Sequence, residues 1–336
     1  KPDGTFDKWK ARLVAGGDTQ DKSLYDDLSS PTVSLDSVFT IIAIAAAEKR
    51  KICTIDITGA YLECILPPGD DVYMVIDPLV TKLLAKLDPN AAKYVTTSGE
   101  VLVKLTRALY GCVQSALLWF NKLRSTLEEA GFVANPYDMC VFNKMHKGKQ
   151  ITVAFHVDDL LVTSQSNEAI SDLITFLKSR FTAVTAERGD KHSYLAMTIE
   201  IARRHYTVSM DGYITSLMAD RKTRTVLSPA NDKLFDEEDD PQYLSDQDKK
   251  IFHSDVAKLL FLAKRVKMSC LTAVSALASK VSTPTREDRK KLDRVFSYVA
   301  TSRRQIMKYT IGGDINPVAY VDASFATQSG ARSRTG

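Results

Sequence analysis

The stretch that most restricts how this chain can fold runs from Ile151 to Val162. Two apolar arms, residues 151–157 and 160–162, enclose the acidic pair Asp158-Asp159. Arms of this kind joined over a tight turn read as a β-hairpin. The turn chemistry is unusual, because short hairpin turns favour glycine rather than two acids. Adjacent carboxylates also repel one another. An acid pair at a solvated loop tip is common and needs no explanation. Apolar flanks on both sides shift the balance toward a bound cation, since Mg²⁺ takes hard oxygen ligands, typically a few carboxylates plus phosphates.

A second apolar strand, residues 52–57, carries Asp56 between Ile55 and Ile57. A carboxylate buried there without a partner would be costly. An edge strand turning Asp56 to water would explain it equally well. Taken with the acid pair, Asp56 makes a three-carboxylate set from two neighbouring strands. Such a set can hold two divalent ions, one activating a hydroxyl and one holding phosphates. Phosphoryl transfer of this kind depends on positioning and charge stabilisation.

The rest of the chain alternates helix and strand signals. Trp9–Val14 reads as a short basic strand followed by a loop closed by Pro31. A helix is predicted from Asp36 or Ser37, ending in Glu48-Lys49-Arg50, where cations suit the helix dipole. Residues 101–105 form a strand. Ala116–Ala130 forms a helix with Phe120, Leu123 and Leu127 on one face, stopped by Gly131. Ile170, Leu173, Ile174, Leu177 and Phe181 recur at helical spacing. A single strand is predicted over Tyr194–Ile201. An acidic, proline-containing linker covers 227–248, largely helical sequence covers 251–300, and short strands cover 306–325. The class is α+β, with helices covering one face of a sheet.

Composition sets outer limits. Of 336 residues, 44% are hydrophobic and 26% charged, which supports a sizeable core and excludes global disorder. Net charge is +4, weak evidence for a polyanion partner. Cations concentrate over 264–310, opposed only by Glu287, Asp288 and Asp293. Such a face could hold phosphates or could simply be a solvated helix surface. The 5 cysteines form no CxxC pair, so free thiols in a reducing compartment are expected and no cysteine zinc site. No signal peptide or membrane-length apolar run is seen. Without an initial Met, the chain reads as an internal piece of something longer.

Several segments together resemble a known family. His156-Val157-Asp158-Asp159, within Val153–Val162, is similar to the Tyr-x-Asp-Asp signature of reverse transcriptases, and its context resembles the copia group of LTR retrotransposons. In the family's order come Lys10–Gln20, resembling the fingers strand, and Ser30–Val33 before the first palm helix. Asp56–Leu62 resembles the first catalytic motif. Leu109–Ser115, with Trp119 following, resembles the template-side motif. The likeness covers residues 1 to about 310.

The resemblance implies a right-hand polymerase whose antiparallel palm sheet is backed by helices. Residues 1–226 would hold fingers, palm and the start of the thumb, and 227–310 an acidic linker with thumb and connection helices. Residues 311–336 would open an RNase H-like domain. Its implied activity is RNA-directed DNA polymerisation within a Pol polyprotein. The partners are an RNA template, a DNA primer, dNTPs and the integrase and RNase H parts, with no membrane. Asp56, Asp158, Asp159 and the Ile57 carbonyl would hold two Mg²⁺, with Mn²⁺ able to substitute. Tyr61 matches the aromatic gate against a 2′-hydroxyl; a core tyrosine is the plain alternative. Lys10 and Arg12 match cations that meet the triphosphate, and Gly111 and Gln114 lie where the family contacts nucleotide and template. His156, Val157, Leu195, Ala196 and Met197 fall on the primer side. Asp322 matches the first RNase H carboxylate. That site needs acids beyond Gly336, so no RNase H activity is expected from this chain. The resemblance also implies a cytoplasmic protein in virus-like particles, with nuclear entry.

The sequence departs from the family pattern at His156, in place of an aromatic, at Ala116, in place of proline, and at Gly59, in place of a larger side chain. These departures motivate a second reading, an inactive reverse-transcriptase-like RNA-binding scaffold. An RNA-dependent RNA polymerase, which also presents paired aspartates, is a third, and Tyr61 separates it from the first.

Overall fold

A computed structural model describes residues 9, 11–25, 27–236, 238–312, 316, 318, 320, 321, 323–328 and 332–334. The chain divides into two compact units. One comprises residues 8–41 and 50–189, and the other 1–7, 42–49 and 190–336. Helix α1 (Leu35–Ala47) is shared between them.

The first unit is built on strand β1 (Lys51–Ile57), followed by β2 (Tyr73–Ile76), helix α2 (Pro78–Leu87) and β3 (Val101–Lys104). Then come α3 (Ser115–Glu129), β4 (Val133–Ala134), β5 (Val141–His146), β6 (Lys149–His156), β7 (Asp159–Ser164), α4 (Asn167–Arg180) and β8 (Val184–Arg188). Six strands form an antiparallel sheet in the order β4-β5-β6-β7-β1-β8, while β2 and β3 pair separately. Strands β1, β6 and β7 are buried through most of their length, as their unbroken apolar runs require. Helices α3 and α4 supply the cover. Phe120 of α3 lies 5.9 Å from Phe155, and Trp119 lies 5.3 Å from Phe181.

Local chemistry fixes the helix ends. Gly131, at φ 83°, follows α3; its N–H donates to Glu128 O and the Phe132 N–H to Leu127 O. This paired closure favours glycine at the left-handed position. Helix α3 starts without proline at 116, since the Ser115 hydroxyl donates to Leu109 O and the Ser30 hydroxyl to Ala116 O. Ser166 caps α4 by accepting from the Ala169 N–H.

The second unit pairs β9 (Lys191–Tyr194), β10 (Met197–Ile201), β11 (His205–Ser209) and β12 (Met307–Thr310) in the order β12-β11-β10-β9. Its helices are α5 (Asp211–Met218), α6 (Asp246–Ala263), α7 (Leu271–Ala278) and α8 (Arg286–Thr301). Strands β13 (Ser324–Gln328) and β14 (Arg332–Arg334) pair antiparallel. A buried ion cluster ties the helices together. Asp255, 2% exposed, accepts from Arg221 and, at 2.8 Å, from Arg289. The acidic stretch 227–248 touches α8, where Glu238 accepts from the Thr285 hydroxyl and Lys291 donates to Leu234 O and Asp236 O.

Four expectations need correction. No described residue of 9–14 is in a strand. Trp9, Leu13 and Val14 are exposed, and among the described residues no strand pairs with the segment, while the Ala15 N–H donates to Tyr110 O. Helix α1 ends at Ala47; Lys49 turns at φ 57°, and the buried Arg50 donates to Thr152 and Gln150 of β6 instead of lying at a helix end. The strand expected over 194–201 is a hairpin, broken at Leu195 (φ 50°) and Ala196 (φ 65°), with Tyr194 facing Met197 across it. Finally, the turn of the central hairpin is Val157-Asp158; Asp159 already belongs to β7, opposite His156.

Many cations of 264–310 are engaged within the chain. Lys267, 1% exposed, donates to Ser302 O and Gln305 O, and Arg265 donates to Leu195 O. Arg294 donates to the Ser228 hydroxyl, and Lys290 pairs with Glu287. Much of this charge is therefore structural glue rather than an open basic face. All 5 cysteines are free and buried, and burial pushes the Cys140 thiol up to about 12.

Candidate active site

Strand β1 lies between β7 and β8, and its register sets Asp56 directly opposite Asp159. Directly opposed residues in an antiparallel pair place their Cβ atoms roughly 4.5–5.5 Å apart on the same side. Asp158 follows in the turn, and its carbonyl accepts from the Ile57 N–H at 3.1 Å. The structure thus brings Asp56, Asp158, Asp159 and the start of the Ile57 peptide to one end of two neighbouring strands. Asp56 and Asp158 are half-buried and Asp159 is exposed. One oxygen of Asp56 accepts from the Thr58 hydroxyl at 2.6 Å, which orients the carboxylate.

The turn itself is strained. Val157 sits at φ 58°, a left-handed conformation that is a true outlier for a β-branched residue. Strain of this sort costs about 1–3 kcal/mol and persists only where the surroundings enforce it. The enforcing group is Trp119. Its indole N–H, on a ring 1% exposed, donates to Val157 O at 2.7 Å. A buried indole N–H needs an acceptor, and here it finds the one carbonyl that fixes the acid-bearing turn.

Aromatic rings line the approach. Tyr61 and Tyr110 pack with centroids 4.5 Å apart, and the Arg12 guanidinium lies 5.1 Å from the centre of the Tyr110 ring. Burial raises the Tyr61 hydroxyl above its ordinary value of 10.0, assisted by Tyr110 and Asp158. Burial does the same for Tyr110; the charges of Asp158 and Asp56 add to it and Arg12 opposes it. Both phenols therefore stay protonated at neutral pH, and both sense the carboxylates. The loop carrying Arg12 is fixed by a close backbone approach. A Cβ on Gly17 would stand 1.8 Å from Gly111 O, and one on Gly111, at φ 95°, would stand 2.0 Å from Ala15 O.

Gln114 is 4% exposed, and its amide serves the same loop. Its Nε2 donates to Asp70 and its Oε1 accepts from Gln20, whose own oxygen accepts from the Val113 N–H. Tyr25 completes the ring by donating to Asp70 and accepting from Gln20. These bonds hold the Gln114 amide between Asp70 and Gln20. Gly59 turns at φ 76° between β1 and the Ala60–Glu63 3-10 helix, a conformation that favours the residue present.

The segment-by-segment likeness in the sequence has a counterpart across most of the chain: residues 2–226 match the family model described as reverse transcriptase (RNA-dependent DNA polymerase). The chain belongs to the reverse transcriptase family. Over 328 residues it is 27% identical to the retrovirus-related Pol polyprotein from transposon RE1 of Arabidopsis thaliana. That alignment covers 96% of this chain and 21% of the polyprotein. The chain is 25% identical over 358 residues to the Ty1-DR5 Gag-Pol polyprotein of Saccharomyces cerevisiae, an alignment covering 100% of this chain and 19% of that protein. The chain thus spans about a fifth of the length of these copia-type relatives.

Within this chain the remaining expected residues are dispersed. His156 and Val157 flank the acid pair and are half-buried. Leu195, Ala196 and Met197 belong to the other unit, at the β9–β10 turn. Met197 is 0% exposed. Lys10 and Asp322 lie outside the described residues. Sequence reasoning missed Trp119 as the group that holds the turn, Tyr110 as the ring between Tyr61 and Arg12, and Thr58 as the partner of Asp56. Only Trp119 carried a signal, as an indole on the apolar face of a helix. Among the described residues no helix is long and apolar enough to cross a membrane.

Proposed function

We propose that this chain adds deoxynucleotides to a primer 3′-hydroxyl on an RNA template, using Asp56, Asp158 and Asp159. The observation that carries this reading is the pairing of Asp56 with Asp159 beside the Asp158 turn. An all-oxygen donor set of three carboxylates and the Ile57 carbonyl fits Mg²⁺, or Mn²⁺ in its place. Two such ions, when bound, supply activation of the 3′-hydroxyl and charge neutralisation on the triphosphate and leaving pyrophosphate.

The chain's own residues do the positioning. Thr58 holds one oxygen of Asp56, so the other remains for a ligand. Trp119 and the Ile57 N–H fix the backbone from which Asp158 and Asp159 project. Tyr61, backed by Tyr110, presents a rigid ring where the sugar would lie and leaves no room for a 2′-hydroxyl. Arg12, and Lys10 beside it in sequence, would meet the triphosphate, where guanidinium–phosphate forks are strong. Gly111 leaves its backbone free to approach the nucleotide. His156 and Val157, with the Leu195–Met197 turn, would contact the primer.

In this reading residues 1–226 provide fingers, palm and the start of the thumb, and 227–310 the thumb and connection helices. Residues 311–336 open an RNase H-like domain. The chain would work within a Pol polyprotein alongside integrase and RNase H, in cytoplasmic virus-like particles with later nuclear entry.

Primer extension on poly(rA)/oligo(dT) with Mg²⁺ tests the reading. Wild type should incorporate dTTP and Asp158→Asn should not; equal incorporation by both would end the proposal. RNA binding without metal-dependent extension would favour the scaffold reading instead. Tyr61→Ala should admit ribonucleotides, and free use of ribonucleotides by wild type would remove the gate assignment.

A further inference from the structure

Away from the carboxylate turn, three metal-ligating side chains meet between the β5–β6 hairpin and helix α4. His146 ends β5, and Glu168 and Asp172 lie one turn apart on α4. One ligand atom from each lies within 4.8 Å of the other two, and His146 Nε2 is 3.9 Å from both Glu168 Oε2 and Asp172 Oδ2.

Three observations say that this set lacks an internal explanation. First, His146 Nε2 is buried and has no hydrogen-bond partner, a state that costs free energy in a folded protein. Second, acids at i and i+4 on a helix repel. Glu168 has compensation at the helix N-terminus and from Lys147, which pairs with its Oε1, whereas Asp172 has only a weaker coulombic attraction to Lys147. Third, the spacing suits an ion better than a proton. An imidazolium N–H aims at one acceptor at about 2.9 Å, and 3.9 Å to each of two oxygens is too long for either bond. A cation with ligand bonds near 2.1 Å holds tetrahedral donor atoms about 3.4 Å apart, so side-chain movement of about half an ångström brings His146 Nε2 and each acid oxygen onto one ion. His146 and Asp172 also border a cavity of about 260 Å³ lined by Phe132, Ile151, Leu173 and Phe176, with space for water to complete a coordination shell. Lys144, which lines that cavity, already donates to Ala130 O.

We infer that His146, Glu168 and Asp172 form a binding site for a divalent ion of the zinc class, which clamps the β5–β6 hairpin to α4. One imidazole and two carboxylates favour Zn²⁺ over Mg²⁺. The hairpin supplies His146 through the Lys147-Gly148 turn, with φ of 48° and 77°, so the same turn aims Lys147 at Glu168 and leaves its second oxygen for the ion.

Equilibrium dialysis of the full chain against Zn²⁺, with Mg²⁺ in excess, tests this directly. Wild type and Asp158→Asn should each take up one ion, while His146→Ala and the gentler Asp172→Asn should bind at least about tenfold more weakly. With Co²⁺ as probe, wild type should show visible ligand-field absorption that His146→Ala lacks. Added Zn²⁺ should raise the Tm of wild type and not of His146→Ala. No stoichiometric uptake by wild type, undiminished binding in both site variants, or loss of binding only in Asp158→Asn would each overturn the assignment. Protonation of His146 that bridges both acids without metal uptake would overturn it as well.

Discussion

Replacing Trp119 by phenylalanine isolates the hydrogen bond that holds the acid-bearing turn. The indole donates to Val157 O at 2.7 Å from a ring 1% exposed, and Phe keeps most of the contact with Phe181. A buried carbonyl left without its donor costs about 1–3 kcal/mol, and the smaller ring leaves a void worth roughly 1 kcal/mol more. Trp119→Phe should therefore destabilise the fold by about 2–4 kcal/mol, read as a lower urea midpoint at constant m-value. Relief of strain at Val157 should interact with this loss. Val157→Gly removes a left-handed penalty of about 1–2 kcal/mol against roughly 0.5–1 kcal/mol of added unfolded-state entropy, so alone it should be close to neutral. In the double variant Trp119→Phe should cost less than it does alone, with a coupling above about 0.5 kcal/mol. Single-turnover extension should slow in Trp119→Phe with little change in nucleotide KM, because the acids are displaced rather than removed. A destabilisation below about 0.5 kcal/mol, or strict additivity with Val157→Gly, would show that the indole does not enforce the turn.

Gly17→Ala and Gly111→Ala should each lower Tm sharply and disorder the Arg12 loop, since their Cβ atoms would stand 1.8 and 2.0 Å from backbone oxygens; unchanged melting curves would refute the close approach. Asp255→Ala strands Arg221 and Arg289 without their shared partner and should cost about 3–5 kcal/mol in denaturant unfolding, whereas a surface variant such as Glu287→Ala should cost less than 1 kcal/mol. Burial raises the Asp138 carboxyl, but hydrogen bonds from Ser37, Ser34 and Cys140 outweigh it and leave the group below 3.8. Its stabilisation is therefore present above the unfolded value and is lost as pH falls below about 3.8 through the folded one, so Asp138→Asn should flatten the acid limb of a stability–pH profile.

The parts of the fold legible in the sequence are those where one physical demand dominates. Apolar runs at 52–57 and 151–162 read as strands, and the repeat from Ile170 to Phe181 as an amphipathic helix. Gly131 stopped α3 because few other residues take φ 83° so readily. The Leu195-Ala196 turn was illegible because neither residue favours the left-handed conformation it adopts. The four-stranded sheet and the Arg265 bond to Leu195 O impose it from outside the local sequence. Arg50 was misplaced for a related reason: a cation after a helix suits the dipole, and only tertiary structure reveals that Thr152 and Gln150 claim it.

The candidate site divides along the same line. Acids between apolar residues announce themselves, because their burial needs a reason that side-chain chemistry alone can suggest. The groups that aim them do not. Trp119, Thr58 and Gln20 act through hydrogen bonds, and for Trp119 and Gln20 the partners include residues that only the fold brings beside them. Trp119 is 38 positions from Val157, and Gln20 is 94 from Gln114. Loop closure over such separations costs little more than over short ones, so distance along the chain places almost no limit on which residue can serve. The basic run at 264–310 shows the converse. A local excess of charge suggested a polyanion, yet Lys267 and Arg265 meet backbone carbonyls, and Arg289 meets Asp255. Charge pattern marks where cations are, and only the packing decides whether they face a ligand or the chain itself.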